Sequence, residues 1–210
     1  MQDQLITTLF LDIGGVLLTN GWGRASRAVA AKKFNLDLPE MEERHHLCFD
    51  TYEMGKLSMD DYLKEIVFYE KRDFPKEVFK EFIFEQSQPL PGCIDFFKEV
   101  KARYKIKIIS VNNEAKEMNE YRIRQFKLRD LFDAFVSSCY VGLRKPDKDI
   151  FILACNLAQV NPQNALLIDD RQMFVEVAAS IGLNVIRFEG LDAVKEKMEL
   201  FRFAVETPDI

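Results

Sequence analysis

The chain has 210 residues, 48% hydrophobic and 30% charged, with a formal net charge of -5. This is the composition of a globular protein with one good core and room for an inserted module, and it excludes a disordered or fibrous chain. The acidic balance argues against a broad nucleic-acid or anionic-membrane surface, which needs clustered Lys and Arg, but leaves small anionic ligands open to local cations. No apolar run approaches the ~20 residues needed to span a bilayer, and the opening MQDQLITT has neither the basic start nor the apolar stretch of a signal peptide, so a cytoplasmic protein is expected. Cys48, Cys93, Cys139 and Cys155 show no CxxC spacing and read as reduced thiols rather than as disulfides or a zinc site.

In chain order, ITTLFLD (6–12) reads as a buried strand that ends on Asp12 and runs into the Gly14-Gly15 turn. Residues 20–87 then hold four helical patterns and no strand: GRASRAVAAKKFN, PEMEERHHLCFDTYEMG, SMDDYLKEIVFYEKR and PKEVFKEFIFEQS. QPLPG (88–92) has the composition of a hinge. From there strands IKIIS (106–110), AFVSS (134–138), ALLIDD (165–170) and NVIRF (184–188) alternate with helical stretches, the last being LDAVKEKMELFRF. The expected fold is α/β, a Rossmann-like parallel sheet core (1–19 and 88–210) carrying an inserted four-helix cap (20–87).

Ligands of open α/β sheets bind beyond the carboxyl ends of the strands. Polar residues collect at those ends here: Asp12 closes the first strand, Ser110 the second, Asp169 and Asp170 the fourth, and Lys145 follows the third in VGLRKPD. Each alone has a plainer reading, as a turn former, a strand-end hydrogen bonder, a solvated cation or a helix cap. Four segments delivering a carboxylate, a hydroxyl, a cation and a carboxylate pair to one edge point to a site.

LFLDIGGVL, IISVNN, VGLRKPDKDIF and LLIDDRQMFVEVAASIG together resemble the haloacid dehalogenase-like hydrolases, in particular the phosphatase branch with a helical cap. YEMGKLSMDDYL looks like the cap segment of sugar-phosphate phosphatases such as α-glucose-1-phosphatase. The resemblance implies a phosphatase of a small phosphorylated metabolite, a sugar phosphate foremost, with Asp12 as nucleophile and an aspartyl-phosphate intermediate. It implies Mg²⁺ bound by Asp12, the Gly14 carbonyl and the Asp169-Asp170 pair, Asp170 being the better candidate for direct ligation. Lys145 and Ser110 would hold the transferring group, and Gly14, Gly15 and Asn112 would let the backbone and an amide side chain approach the phosphate.

The usual Asp-x-Asp is Asp12-Ile13-Gly14 here, so the second carboxylate, which protonates the leaving alcohol and then activates water, is absent. Such a group is worth ~10² to 10⁴ in rate. Glu114, Glu53 and Tyr52 are candidate substitutes, each with a solvated helix face as its plainer reading, and Tyr52 and Glu53 are also expected to bind the substrate from the cap. Phe174 stands where the family often has Asn. Trp22, beside the first strand, would shield the site, stack on a sugar or simply pack, and the neighbouring His45 and His46 point too far apart to chelate one metal and read as surface or cap-packing residues. Two alternatives share the constellation. A 2-haloacid dehalogenase needs no leaving-group acid, but the acidic pair suits a metal rather than an organic carboxylate; a degenerate phosphatase would only sense its ligand. A phospho-receiver domain has the motifs in another order. The sequence carries no signal for oligomeric state.

Overall fold

Residues 5–204 are described by the computed structural model; the outermost parts of the expected core, 1–4 and 205–210, lie outside them. The stretch expected as one strand over 6–12 is two, Leu5–Ile6 (β1) and Thr8–Leu11 (β2). They are broken at the exposed Thr7, whose N–H donates to the Asn164 carbonyl. β2 is buried at every position, as a central strand covered on both faces must be.

Four helices follow: Arg24–Lys33 (α1), Leu38–Glu53 (α2), Met59–Ile66 (α3) and Lys76–Glu85 (α4). Local chemistry sets two of their starts. Asp37 accepts from the Glu40 N–H ahead of α2, with Pro39 in the first turn, and Ser58 accepts from the Asp61 N–H ahead of α3. Ala30, Met41, Tyr62, Leu63, Phe79 and Ile83 form their shared apolar centre. The chain leaves and re-enters the sheet side by side: the Thr19 N–H donates to the Gln88 carbonyl and the Leu90 N–H to the Leu17 carbonyl.

The rest alternates as expected: Cys93–Tyr104 (α5), Lys107–Asn112 (β3), Lys116–Gln125 (α6), Ala134–Ser137 (β4), a short Ser138–Val141 (α7), Lys148–Ala158 (α8), Ala165–Asp169 (β5), Gln172–Ser180 (α9), Asn184–Arg187 (β6) and Leu191–Met198 (α10). The final helix stops earlier than its sequence pattern suggests. Arg202–Phe203 (β7) pairs in parallel with β1, and the Phe203 ring stacks on Tyr104 with centroids 4.7 Å apart, a buried contact that a continued helix would not make.

Five strands form one parallel sheet in the order β4-β3-β2-β5-β6. Strand order reverses about β2, so the crevice for a ligand opens at its carboxyl end. Alternation sends Leu9, Leu11, Ile108 and Leu166 to the face covered by α5 and α10, and Phe10, Ile109, Val111 and Leu167 to the face covered by α8 and α9. Among the described residues all four cysteines are free and no helix is long and apolar enough to cross a membrane.

Candidate active site

Leu11 of β2 pairs in register with Ile168 of β5, so the next residue of each strand, Asp12 and Asp169, emerges beside the other. Lys145, in the loop before α8, lies between them: its Nζ is 3.2 Å from Asp12 Oδ1 and donates to Asp169 Oδ2. All three are buried. The lysine is aimed by Asn113, whose Oδ1 accepts from the Lys145 N–H and whose Nδ2 donates to the Lys145 carbonyl, both at 2.8 Å. Burial alone would lower the Lys145 pKa, but Asp12 and Asp169 raise it above the ordinary value and keep the ammonium charged. Burial pushes the Asp12 carboxyl up to about 7, with Lys145 opposing and Asp169 and Asp170 adding to the rise. The floor thus sets three carboxylates against one buried cation, a deficit of positive charge.

Carboxylate oxygens of Asp12, Asp169 and Asp170 lie within 4.8 Å of one another. Both oxygens of Asp169 are engaged, Oδ1 by the Arg171 N–H and Oδ2 by Lys145. Asp170 keeps Oδ1 buried without a hydrogen-bond partner, and its Oδ2 accepts from Asn20 Nδ2 at 3.4 Å. A buried unpaired carboxylate oxygen in an all-oxygen cluster fits a hard divalent cation such as Mg²⁺. Gly15 makes the room: at φ +83° it is left-handed, and a Cβ there would come 2.3 Å from Asp170 Oδ2.

Over this floor lies a cavity of about 300 Å³. The core contributes Asp12, Gly14, Glu114 and Lys145 to its wall, and the helical insertion contributes Trp22, His45, Tyr52 and Glu53. Trp22 Nε1–H donates to Tyr62 OH at 2.9 Å, and that hydroxyl meets His45 Nδ1 at 2.6 Å. A Tyr62 hydroxyl that accepts from Trp22 and gives its own proton to Nδ1 would pair with the Nε2–H tautomer of the imidazole. Burial, with Arg27 adding to the fall, pulls the His45 pKa down to about 4, so the ring is neutral. Tyr52 lies flat on Tyr62, ring centroids 4.0 Å apart. His45 thus packs within the insertion, as expected, and also lines the cavity, while its neighbour His46 is exposed.

Insertion and core are joined beside the lysine. Arg144 donates to Asp50 at 2.5 Å and to Glu53 at 2.6 Å, and Ser138 Oγ donates to the Glu53 carbonyl at 2.6 Å. Gly55 sits so close to α7 that a Cβ would come 2.3 Å from the Cys139 carbonyl oxygen.

The expected residues do not all meet at the cavity. Ser110 does not close its strand: β3 continues to Asn112, which pairs with Ser137 of β4, and this leaves Ser110 two residues inside. Alternation turns it toward the Ile108 face, fully buried, with Oγ unpartnered and off the cavity wall. Asn112 is also occupied, donating from Nδ2 to Asn119 Oδ1 at 3.1 Å and accepting from Ser137 Oγ at 2.9 Å. The end of β3 delivers Asn113 and Glu114 instead. Glu114, Glu53 and Tyr52 are none of them solvated helix surface: Tyr52 is buried, Glu53 is paired with Arg144, and Glu114 Oε2 lies 2.6 Å from Arg122 Nη1. Arg122 carried no signal in its charged stretch YRIRQ, whereas Arg144 stood unassigned within VGLRKPD.

Fold and cluster together define an α/β protein with a buried carboxylate–lysine cluster at the carboxyl end of its central strands. The chain belongs to the haloacid dehalogenase-like hydrolases, whose sequence model matches residues 6–182. Mouse acyl-CoA dehydrogenase family member 10 is 38% identical over 76 residues, 36% of this chain and 7% of that protein. Flavin mononucleotide hydrolase 1 of Arabidopsis thaliana is 25% identical over 174 residues, 81% of this chain and 68% of that one. Phosphorylated carbohydrates phosphatase of Thermotoga maritima is 29% identical over 111 residues, 53% of this chain and 49% of that one. The matches thus span from 7% to 68% of these relatives' own lengths. Among solved structures, a haloacid dehalogenase family enzyme of Bacteroides thetaiotaomicron in complex with magnesium and inorganic phosphate shares the fold, with a TM-score of 0.73 and 19% identity over 87% of this chain and 93% of that one.

Proposed function

We propose that this protein is a Mg²⁺-dependent phosphohydrolase of small phosphorylated metabolites, sugar phosphates foremost, working through an aspartyl-phosphate at Asp12. The observation that carries the reading is the floor of the cavity, where Asp12 faces the open space with Lys145 against it and the unpartnered Asp170 oxygen alongside. Asp12 attacks phosphorus, the organic alcohol leaves, and water then hydrolyses the acyl phosphate. Lys145, fixed by Asn113 and Asp169, holds the Asp12 carboxylate and the phosphoryl oxygens together against their mutual repulsion. Asp12, Asp170 and the Gly14 carbonyl would hold the metal, with Asp169 orienting Lys145. When bound, the metal supplies positive charge that offsets the phosphate dianion.

The walls suit an anionic substrate, since six basic side chains, Arg24, Arg27, Arg122, Arg144, Lys145 and Arg171, line the cavity against three acidic ones, Asp12, Glu53 and Glu114. Two relatives are named for hydrolysis of phosphate esters, one a flavin mononucleotide hydrolase and one a phosphorylated-carbohydrate phosphatase, which supports phosphate as the recognised group. A 2-haloacid substrate is the weaker reading, because an organic carboxylate would face the Asp169-Asp170 pair. Four free thiols suit a reducing compartment such as the cytoplasm. The test is phosphate release from a panel of phosphorylated metabolites: turnover with Mg²⁺ that EDTA abolishes is expected, and halide release from 2-haloacids unaffected by EDTA would replace this reading with the dehalogenase one.

A further inference from the structure

Gly14 leaves the place of a second carboxylate without a side chain, and another residue fills the space. A Cβ at Gly14 would lie 3.3 Å from Arg122 Nη1 and 3.3 Å from Asn20 Oδ1, although the backbone there is not left-handed. A Cβ at Gly21 would lie 2.1 Å from Arg122 Nη2. Two glycines thus clear a channel for one guanidinium, which enters from α6 and is 2% exposed. It is fixed on three sides: Nε donates to Ser87 Oγ at 3.0 Å, Nη2 to the Thr19 carbonyl at 3.2 Å, and Nη1 to Glu114 Oε2 at 2.6 Å.

Glu114 Oε1 accepts from the Ala115 N–H, so the carboxyl is held in one orientation on the cavity wall, tied through Arg122 Nη1 to the edge of Gly14. Burying such a pair costs desolvation that apolar packing would avoid.

Resting on the phosphohydrolase reading above, we propose that Glu114 is the general acid and base that a second aspartate would otherwise supply, and that Arg122 is the positioning residue that holds it. In the first step an Asp12 oxygen bonds to phosphorus while the bond from phosphorus to the organic oxygen breaks, and that oxygen takes the proton of the Glu114 carboxyl. In the second step Glu114, now a carboxylate, takes a proton from water as the water oxygen bonds to phosphorus. The Asp12–phosphorus linkage breaks, inorganic phosphate leaves, and both carboxyl groups return to their starting states. The surroundings suit a group that carries a proton near neutral pH: burial pushes Glu114 up to about 7, against the pull of Arg122 and with Glu53 adding to the rise. Tyr52 and Cys139 are the other titratable groups that feel Glu114.

The experiment is single-turnover release of the organic product from a series running from aryl to alkyl phosphates, in wild type, Glu114→Gln and Arg122→Lys. Glu114→Gln keeps the shape of the side chain but cannot give up the proton. It should slow alkyl phosphates by ~10²-fold or more and the best aryl phosphates far less, which steepens the dependence on leaving-group pKa. Arg122→Lys, which keeps the charge and loses the fork, should show the same selective loss in smaller measure. Should the lysine variant not fold, Glu114→Gln alone decides. Wild-type turnover combined with equal losses on aryl and alkyl substrates, or with no loss, would overturn the assignment of Glu114. No release by wild type from any member of the series would instead remove the phosphohydrolase reading beneath it.

Discussion

The floor of the cavity and its helical wall are held by different means. On the floor, Asp12 and Asp169 leave neighbouring strands in register, and Lys145 is locked to the end of β3 through Asn113, so sheet geometry fixes the reacting groups. On the wall, Trp22, just ahead of α1, and His45 and Tyr52 of α2 are held around Tyr62 of α3, and the wall meets the core through Arg144 and its two carboxylate partners. On the proposed function, chemistry falls to the sheet and selection among substrates to the insertion.

The severest way to break that division is Asp12→Asn, which should lower turnover by at least about 10³-fold on every substrate while leaving the circular dichroism unchanged. A variant active on even one substrate would move the nucleophile elsewhere. Lys145→Ala should cost ~10² to 10³ in rate and, because Asp12 and Asp169 then face each other buried without a cation, about 3 kcal/mol of stability in denaturant titrations. A rate within a few fold of wild type would mean that the lysine serves the fold alone. Gly15→Ala and Gly14→Ala sharpen the floor further. The first forces a left-handed residue against Asp170 Oδ2 and should reduce both metal-dependent rate and melting temperature; the second, free of left-handed strain, meets Arg122 Nη1 and Asn20 Oδ1 at 3.3 Å and should be milder. Equal effects would show that Asp170 is not positioned by the turn.

The same contrast explains what was legible in the sequence. Asp12, Asp169 and Asp170 were readable because they sit at the ends of short apolar runs, and the period of a buried strand says where such runs stop; Lys145 was readable from the loop VGLRKPD that follows the third strand. Ser110 misled because SVNN continues the strand past the point where IKIIS looks complete, and a two-residue extension put Asn113 and Glu114 at the edge instead. Arg122 and His45 were not readable at all. Their roles come from which helices face one another across the cavity, and no local pattern in YRIRQ or ERHHL records that. β7 was missed for a related reason, since its two residues form a strand only because β1 is there to pair with them.

On the wall the effects should be smaller and should differ among substrates. Arg144→Ala removes the two ion pairs from core to insertion while leaving the Ser138–Glu53 hydrogen bond, and should lower kcat/KM by roughly tenfold, by different factors for large and small phosphate esters. Loss of the exposed Asp50 pair should change stability little, whereas Glu53, 27% exposed, loses its partner and should account for most of any destabilisation. The same factor for every substrate would make the link structural only. The smallest effect concerns pH. His45 binds its proton only near pH 4 in the fold, held down by burial and by Arg27 with Glu42 opposing, against an ordinary value of 6.5. The unfolded chain therefore takes the proton first as pH falls, and stability present above pH 6.5 is lost between 6.5 and 4. Melting temperatures of His45→Gln should fall less steeply than those of wild type across that window; parallel curves would mean that the imidazole is not held neutral.

The covalent role of Asp12 is tested most directly by acid-quenching the enzyme during turnover of a phosphate ester and mapping its peptides by mass spectrometry. One phosphoryl group on the peptide containing Asp12, labile to hydroxylamine and absent from Asp12→Asn, is the predicted result. Steady phosphate release with no phosphoryl group on that peptide at any quench time, from a protein in which Asp12→Asn still turns over, would contradict it.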